Sequence, residues 1–341
     1  MPRGGTQFSS EELVCVLSHY DIGVILRIRP LSGGNRRTPK MVLISEKGKY
    51  ILKRRPHGKD DLDQVKFAHE IQRRLVAESF PITTLVPTVD KNETVLQLDH
   101  HIYELFEFVT GNRYDGSPEE TAEAARRLAE FHRLLSSFPH RQPLENCYHD
   151  SHAVRRHLKT IGSEHSALPN MKMRSASDTL MMLYNESSVR VSGLNFDSWP
   201  RQVIHGDWHP GNMLFSEGKV AAVLDFDAVR VASTITDLAN GMLQFSIVGG
   251  RPNPAEWPDY FDEDKLSQFI KGYRSVIELD KNKLDALPDL MIETMIAEAV
   301  MPIAATGFFG HLSGSAFLDM ILRKVLWLSK HREQLIPAFC W

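Results

Sequence analysis

The stretch VIHGDWHPGNMLF occupies residues 203–215, and VLDFD follows at residues 223–227. Asp207, Asn212, Asp225 and Asp227 stand among apolar runs such as 220–224, at a density that packing alone does not explain. Carboxylates and an amide in this order can hold a hard metal ion and a hydroxyl group. Each residue taken singly also reads as an Asx-turn former in a loop. It is the set, with its order and spacing, that favours a site. The apolar runs NMLF and KVAAVLD read as two short supporting strands, with Gly218 turning the chain between them.

Outward from this stretch, the bulk properties narrow the classes. A chain of 341 residues with 42% hydrophobic content has material for two lobes. The net charge of -3 gives no reason to expect a nucleic-acid or membrane-surface partner. Cys15, Cys147 and Cys340 lie far apart and show no disulfide or metal-ligand spacing. The first residues carry no apolar signal-peptide core, and no run of eighteen apolar residues occurs. A cytoplasmic protein is expected.

Periodicity divides the chain. SSEELVCVLSHYDIG, from residue 9, opens with a Ser-x-x-Glu cap and reads as a helix. Strand-like runs follow at 24–31, 39–45 and 49–55. DQVKFAHEIQRRLVAESF, residues 63–80, has the 3.6 period of a helix. Two more strands, ETVLQL and HIYELFEFV, precede a mostly helical remainder that starts with the capped run SPEETAEAARRLAEFHRLLSSF at residue 117. Weak periodicity from 139 to 200 fits helical insertions or a loop equally well. The expected fold is α+β. Residues 1–109 form a small antiparallel-sheet lobe with one helix, and 110–341 form a larger helical lobe.

Phosphoryl transfer needs magnesium on the phosphates, a base near the acceptor hydroxyl, and cations or amides on the leaving group. Magnesium takes only one or two protein oxygen ligands. Asp207 fits as the base, and Asn212 with Asp225 fits as the Mg2+ ligand pair. His205-Gly206-Asp207, Asn212 and Leu224-Asp225-Phe226-Asp227 together resemble the catalytic loop and metal motif of the aminoglycoside phosphotransferase and choline kinase family, which has the two-lobed protein-kinase-like fold. Protein kinases carry H-R-D-x-x-x-x-N and D-F-G instead. Gly206 in place of Arg and Asp227 in place of Gly point to the small-molecule branch.

The resemblance covers roughly residues 31–242 and implies further site residues. A third-strand lysine, Lys53, reaches the phosphates of ATP and pairs with Glu70 on the next helix. Strand alternation puts Lys53 and Arg54 on opposite faces. Ser32, Gly33 and Gly34 lie between the first two strands, where backbone amides approach phosphate, although the same residues fit a hairpin turn. After the fifth strand, the carbonyl of Glu107 and the amide of Val109 meet the adenine. Asp237 reads as a structural first-turn acid and His132 as a packed helix residue.

The implied activity moves the γ-phosphoryl group of ATP to a hydroxyl of a small metabolite, such as an amino alcohol, a sugar or a homoserine-like amino acid. Asp237 stands only twelve positions after Asp225, and no A-P-E element follows, which disfavours a peptide acceptor. A compact bacterial Ser/Thr protein kinase and a non-transferring pseudokinase share these motifs. A metal-dependent hydrolase built on His205, Asp207 and His209 lacks a second ligand cluster.

Overall fold

The computed structural model describes residues 8–31, 38–139, 148–161, 163, 171–250 and 252–340. Helix α1 (Ser10–Leu17) starts at Ser9, whose hydroxyl accepts the Glu12 amide while the Glu12 carboxylate accepts the Ser9 amide. Strands β1 (Ile25–Pro30), β2 (Lys40–Ser45) and β3 (Gly48–Arg54) then run antiparallel. Helix α2 (Leu62–Ala77) begins at the Asp61 cap and buries Val65, Ala68, His69, Ile71, Gln72 and Leu75. Strands β4 (Leu96–Leu98) and β5 (His101–Glu107) complete a five-stranded sheet in the order β1-β2-β3-β5-β4. One face packs Leu43, Leu52, Tyr103 and Leu105 against Val16 and Tyr20 from the α1 region. The β strands and both helices lie where the periodicity places them.

Helix α3 (Pro118–Leu134) follows, capped by Ser117. Within the ambiguous segment, α4 (His152–Ile161) and α5 (Met171–Gly193) are helical, with turns beside them. Strand β6 (Arg201–Ile204) leads into the quoted loop. Strands β7 (Met213–Ser216) and β8 (Lys219–Val223) form a hairpin turned by Glu217 and Gly218, both at positive φ, as a two-residue turn requires. Strand β9 (Arg230–Ser233) pairs with β6, and α6 (Thr234–Ser246), α7 (Glu263–Arg274) and α8 (Lys281–Thr306) follow. A short hairpin of β10 (Phe308–Phe309) and β11 (Leu312–Ser313) precedes α9 (Gly314–Cys340). Among the described residues, no helix is long and apolar enough to cross a membrane.

Contacts divide the chain into two compact units, 1–113 with 212–228, and 114–211 with 229–341. A division at residue 109 follows the sequence order. The contacts also assign the β7–β8 hairpin to the first unit, where Phe215 bridges Asn112 and Val223 bridges Ile82.

In the second unit, α3 and α7 approach closely because Gly272 has no side chain. A Cβ there would meet the carbonyl oxygen of Ala122 far inside van der Waals contact. Backbone cannot swing away as a flexible side chain can. Gly272→Ala is therefore expected to lower stability by about 1–3 kcal/mol, the cost of overpacking a close-packed interior. A denaturation midpoint equal to that of the wild type would refute this reading of the contact.

Candidate active site

The first unit gathers its charges around β3. Strand alternation sends Arg54 to one face, where it pairs with Glu12 at 2.6 Å, and Lys53 and Arg55 to the other. Lys53 Nζ stands 2.5 Å from Asp227, 3.7 Å from Asp225 and 3.7 Å from Glu104. Arg55 grips both oxygens of Glu104 at 2.8 and 2.9 Å and reaches Asp227 at 3.0 Å. Fork-like pairing of this kind fixes the carboxylate plane as well as its charge. His69 closes the network, donating from Nε2 to Glu104 at 2.7 Å and accepting at Nδ1 from the Thr94 hydroxyl.

The expected pairing of Lys53 with Glu70 does not form. The inward face of α2 passes through Val65, Ala68, His69 and Gln72, which leaves Glu70 exposed. The carboxylate beside Lys53 comes from the sheet instead. Glu104 lies directly across from Lys53 in the β3–β5 register, and it is completely buried. Glu104, Arg55 and His69 were absent from the sequence reading. The available signal was an acid, Glu104, inside the apolar strand HIYELFEFV.

Protonation follows from these neighbours. Burial by itself would depress the Lys53 ammonium, but Glu104, Asp227 and Asp225 outweigh it and leave the pKa raised. Burial would raise Glu104, yet Lys53, the His69 hydrogen bond and Arg55 hold it far below the usual carboxylate range. Asp225 also resists the effect of burial, with Lys53, Lys40 and Lys59 bringing it down to about 2. Lys40 sits across from Lys53 on β2, and burial lowers its pKa against the pull of Asp225.

Asp225 occupies the left-handed region at φ 61°, a conformation that costs free energy for a non-glycine residue. Its Oδ1 is buried and accepts no hydrogen bond. Asn212, at 8% exposure, enters the same unit just before β7, and its carbonyl accepts the Leu224 amide at 2.8 Å. An anionic oxygen without a hydrogen bond and a buried amide match the hard-oxygen donor set of a magnesium ion. Ser32, Gly33 and Gly34 lie outside the described residues. At the end of β5, the Glu107 amide donates to Thr84 and the Phe108 amide to Lys49, both at 2.9 Å. The Glu107 carbonyl and the Val109 amide take no part in these two bonds.

The second unit builds a different cluster around the loop after β6. Asp237, in the first turn of α6, accepts the amides of His205 and Gly206, each at 2.9 Å. Gly206 has φ 78°, which lets its amide turn inward without Cβ strain. His132 donates from Nε2 to Asp237 at 3.2 Å and accepts the Tyr273 hydroxyl at 2.8 Å. Burial would raise the Asp237 pKa, but His132 and then His205 and Arg230 lower it on balance. Asp237 and His132 thus brace the loop. Arg230 adds a bond to the Gly206 carbonyl at 3.2 Å, and Trp208 is fully buried. Between these fixed points, the Asp207 side chain stays 45% exposed, with His209 Nε2 at 3.5 Å. A carboxylate on a rigid, partly solvated loop can accept a proton from a bound alcohol.

The fold is of the α+β, protein-kinase-like class. The chain belongs to the phosphotransferase enzyme family, whose model matches residues 27–279. Among solved structures, it is similar to an amicoumacin kinase in complex with AMP-PNP, Ca2+ and Ami, with 15% identity, a TM-score of 0.68, and 95% of this chain and 94% of that one covered. An aminoglycoside phosphotransferase from Alicyclobacillus acidocaldarius aligns at 16% identity and TM-score 0.67, again covering 95% and 94%. A microcompartment-associated aminopropanol kinase aligns at 15% identity and TM-score 0.68, covering 94% and 96%. At such identities these structures show the fold alone. No curated protein sequence matches the chain.

Proposed function

We propose that the protein transfers the γ-phosphoryl group of ATP to a hydroxyl of a small metabolite. The observation that carries this reading is the convergence of Lys53 with Asp225 and Asp227, combined with the family membership. Lys53 is a point charge on a buried stem, suited to phosphate oxygens in a way that a rigid guanidinium fork is not. Asn212 and Asp225 are the residues that would hold Mg2+, which when bound neutralises charge on the phosphates. Asp207 takes the proton of the acceptor hydroxyl as its oxygen bonds to the γ-phosphorus and the bond to the β-phosphate oxygen breaks, releasing ADP. Ser32, Gly33 and Gly34 supply amides to the phosphates. The Glu107 carbonyl and Val109 amide receive the adenine.

Two points support a small acceptor. Asp237 stands only twelve positions after Asp225, and Asp237 is already committed to bracing the loop. Similar folds also belong to an aminopropanol kinase and a choline kinase from Cryptosporidium parvum. The test is ADP release from Mg·ATP against pools of amino alcohols, sugars and hydroxy amino acids, with protein extract as the competing acceptor. Release that depends on a small alcohol is expected. Transfer to protein alone, or to no acceptor, would overturn the reading.

A further inference from the structure

Three side chains of the second unit form a chain of hydrogen bonds that the phosphoryl transfer above does not use. Glu293 on α8 is completely buried, and its carboxylate faces Nδ1 of His149 at 2.9 and 3.1 Å. On the other side of the ring, Nε2 stands 3.2 Å from the hydroxyl of Ser192, near the end of α5. A carboxylate at Nδ1 keeps the proton there, so Nε2 carries the lone pair and the Ser192 hydroxyl donates to it. Ser192 itself is exposed.

The imidazole is held from several sides. Phe196 packs on it with ring centroids 4.4 Å apart. Tyr184 ties the chain around His149 to α5, its hydroxyl donating to the Tyr148 carbonyl and accepting the Ser151 amide at 2.8 Å. The Ser188 hydroxyl, one turn before Ser192, meets Glu293 Oε1 at 2.5 Å. Asp289, one turn earlier on α8, is paired with Arg190 and Arg332. Burial raises the Glu293 pKa, against the His149 and Ser188 bonds that lower it. A carboxylate more basic than usual holds the His149 proton firmly and makes Nε2 a better base.

A hydroxyl bonded to an imidazole that is bonded to a carboxylate is an activated nucleophile, recognised by geometry and not by sequence position. We propose that Ser192, His149 and Glu293 form a site that takes the acyl group of activated esters. Ser192 is the nucleophile, His149 the base, and Glu293 the residue that positions His149. The local backbone narrows the donor. Leu194 gives its amide to the Val191 carbonyl and Asn195 to the Ser192 carbonyl, both at 3.0 Å. Amides so engaged do not cradle an oxyanion. The donor is therefore an ester whose leaving group departs as a stable anion, such as an aryl ester.

Ser192 Oγ bonds to the carbonyl carbon as its proton passes to His149 Nε2. The bond to the aryl oxygen breaks, the phenoxide leaves, and the imidazolium returns its proton to solvent. Water then attacks the acyl-serine carbonyl and gives a proton to Nε2. Oγ leaves the carbonyl carbon, takes that proton back, and the carboxylic acid is released.

The test uses the full chain without ATP and with EDTA, which keeps phosphoryl transfer silent. The ester is p-nitrophenyl acetate, and a biotin-linked fluorophosphonate marks the nucleophile by losing fluoride to it. The wild type should release p-nitrophenoxide about 10²-fold faster than Ser192→Ala. Peptide mapping should find the phosphonyl adduct at Ser192. Ser192 is exposed, so Ser192→Ala reports on the site without disturbing the core. His149→Asn, with its folding checked by melting temperature, should lose the adduct as well. Glu293→Gln removes the charge behind the imidazole and should move the pH midpoint of labelling downward, which a purely structural role would not do. Four results would each overturn the site: ester turnover unchanged in Ser192→Ala, no adduct at Ser192 in the wild type, an adduct that survives in folded His149→Asn, or a pH midpoint unmoved by Glu293→Gln.

Discussion

Asp207→Asn is expected to lower turnover by about 10²- to 10⁴-fold, the usual cost of losing a general base. The side chain is half-exposed, and Asp237 braces its loop through the His205 and Gly206 amides. The amide is isosteric, so the melting temperature and nucleotide affinity should stay close to wild type. Only the capacity to take a proton is removed. Steady-state kinetics beside nucleotide titration separates the two. Wild-type turnover in the variant would remove Asp207 from the base role.

Asp225→Ala should abolish metal-dependent nucleotide binding, weakening it about a hundredfold or more, which corresponds to about 2.7 kcal/mol. Its Oδ1 accepts no hydrogen bond within the protein, so no internal bond is lost there when it is removed. Lys53 keeps Asp227 at 2.5 Å and Glu104 at 3.7 Å, and the charge network of the first unit survives. Calorimetry with and without EDTA provides the readout. If the variant binds nucleotide tightly and EDTA still weakens it, the ligand is Asp227 and the motif has been read two residues out of register.

Much of this was legible in the residues, and the failures have physical causes. The strands and capped helices follow from alternation, from the 3.6 period and from Ser9, Asp61 and Ser117 at helix starts. Lys53 and Arg54 were separable because a strand must send neighbours to opposite faces. Glu104 was not found as the partner of Lys53 because it is brought there by strand register, across 51 residues of chain. Glu70 was a helix-phase error of one residue, and the apolar positions Val65, Ala68 and Leu75 carried the information to avoid it. The segment 139–200 stayed ambiguous because α5 buries Ser177, Ser187 and Ser188 beside its apolar residues, which blurs the periodic signal.

The assignment of the β7–β8 hairpin to the first unit has a consequence for biosynthesis. Residue 113 leaves the ribosome long before that unit can be completed, because 212–228 are still to be made. At ordinary elongation rates the interval is roughly 6 to 23 s. Throughout it, the backbone of Asn112 lacks Phe215, and Pro81 lacks the Val223 amide it accepts at 2.8 Å. The backbone polar groups at Pro81 and Asn112 therefore wait without these partners. The first unit can be completed only after residue 228 is made, when 114–211 of the second unit have already emerged. A truncated product ending near residue 113 is expected to aggregate, and splicing residues 212–228 back onto it should restore solubility.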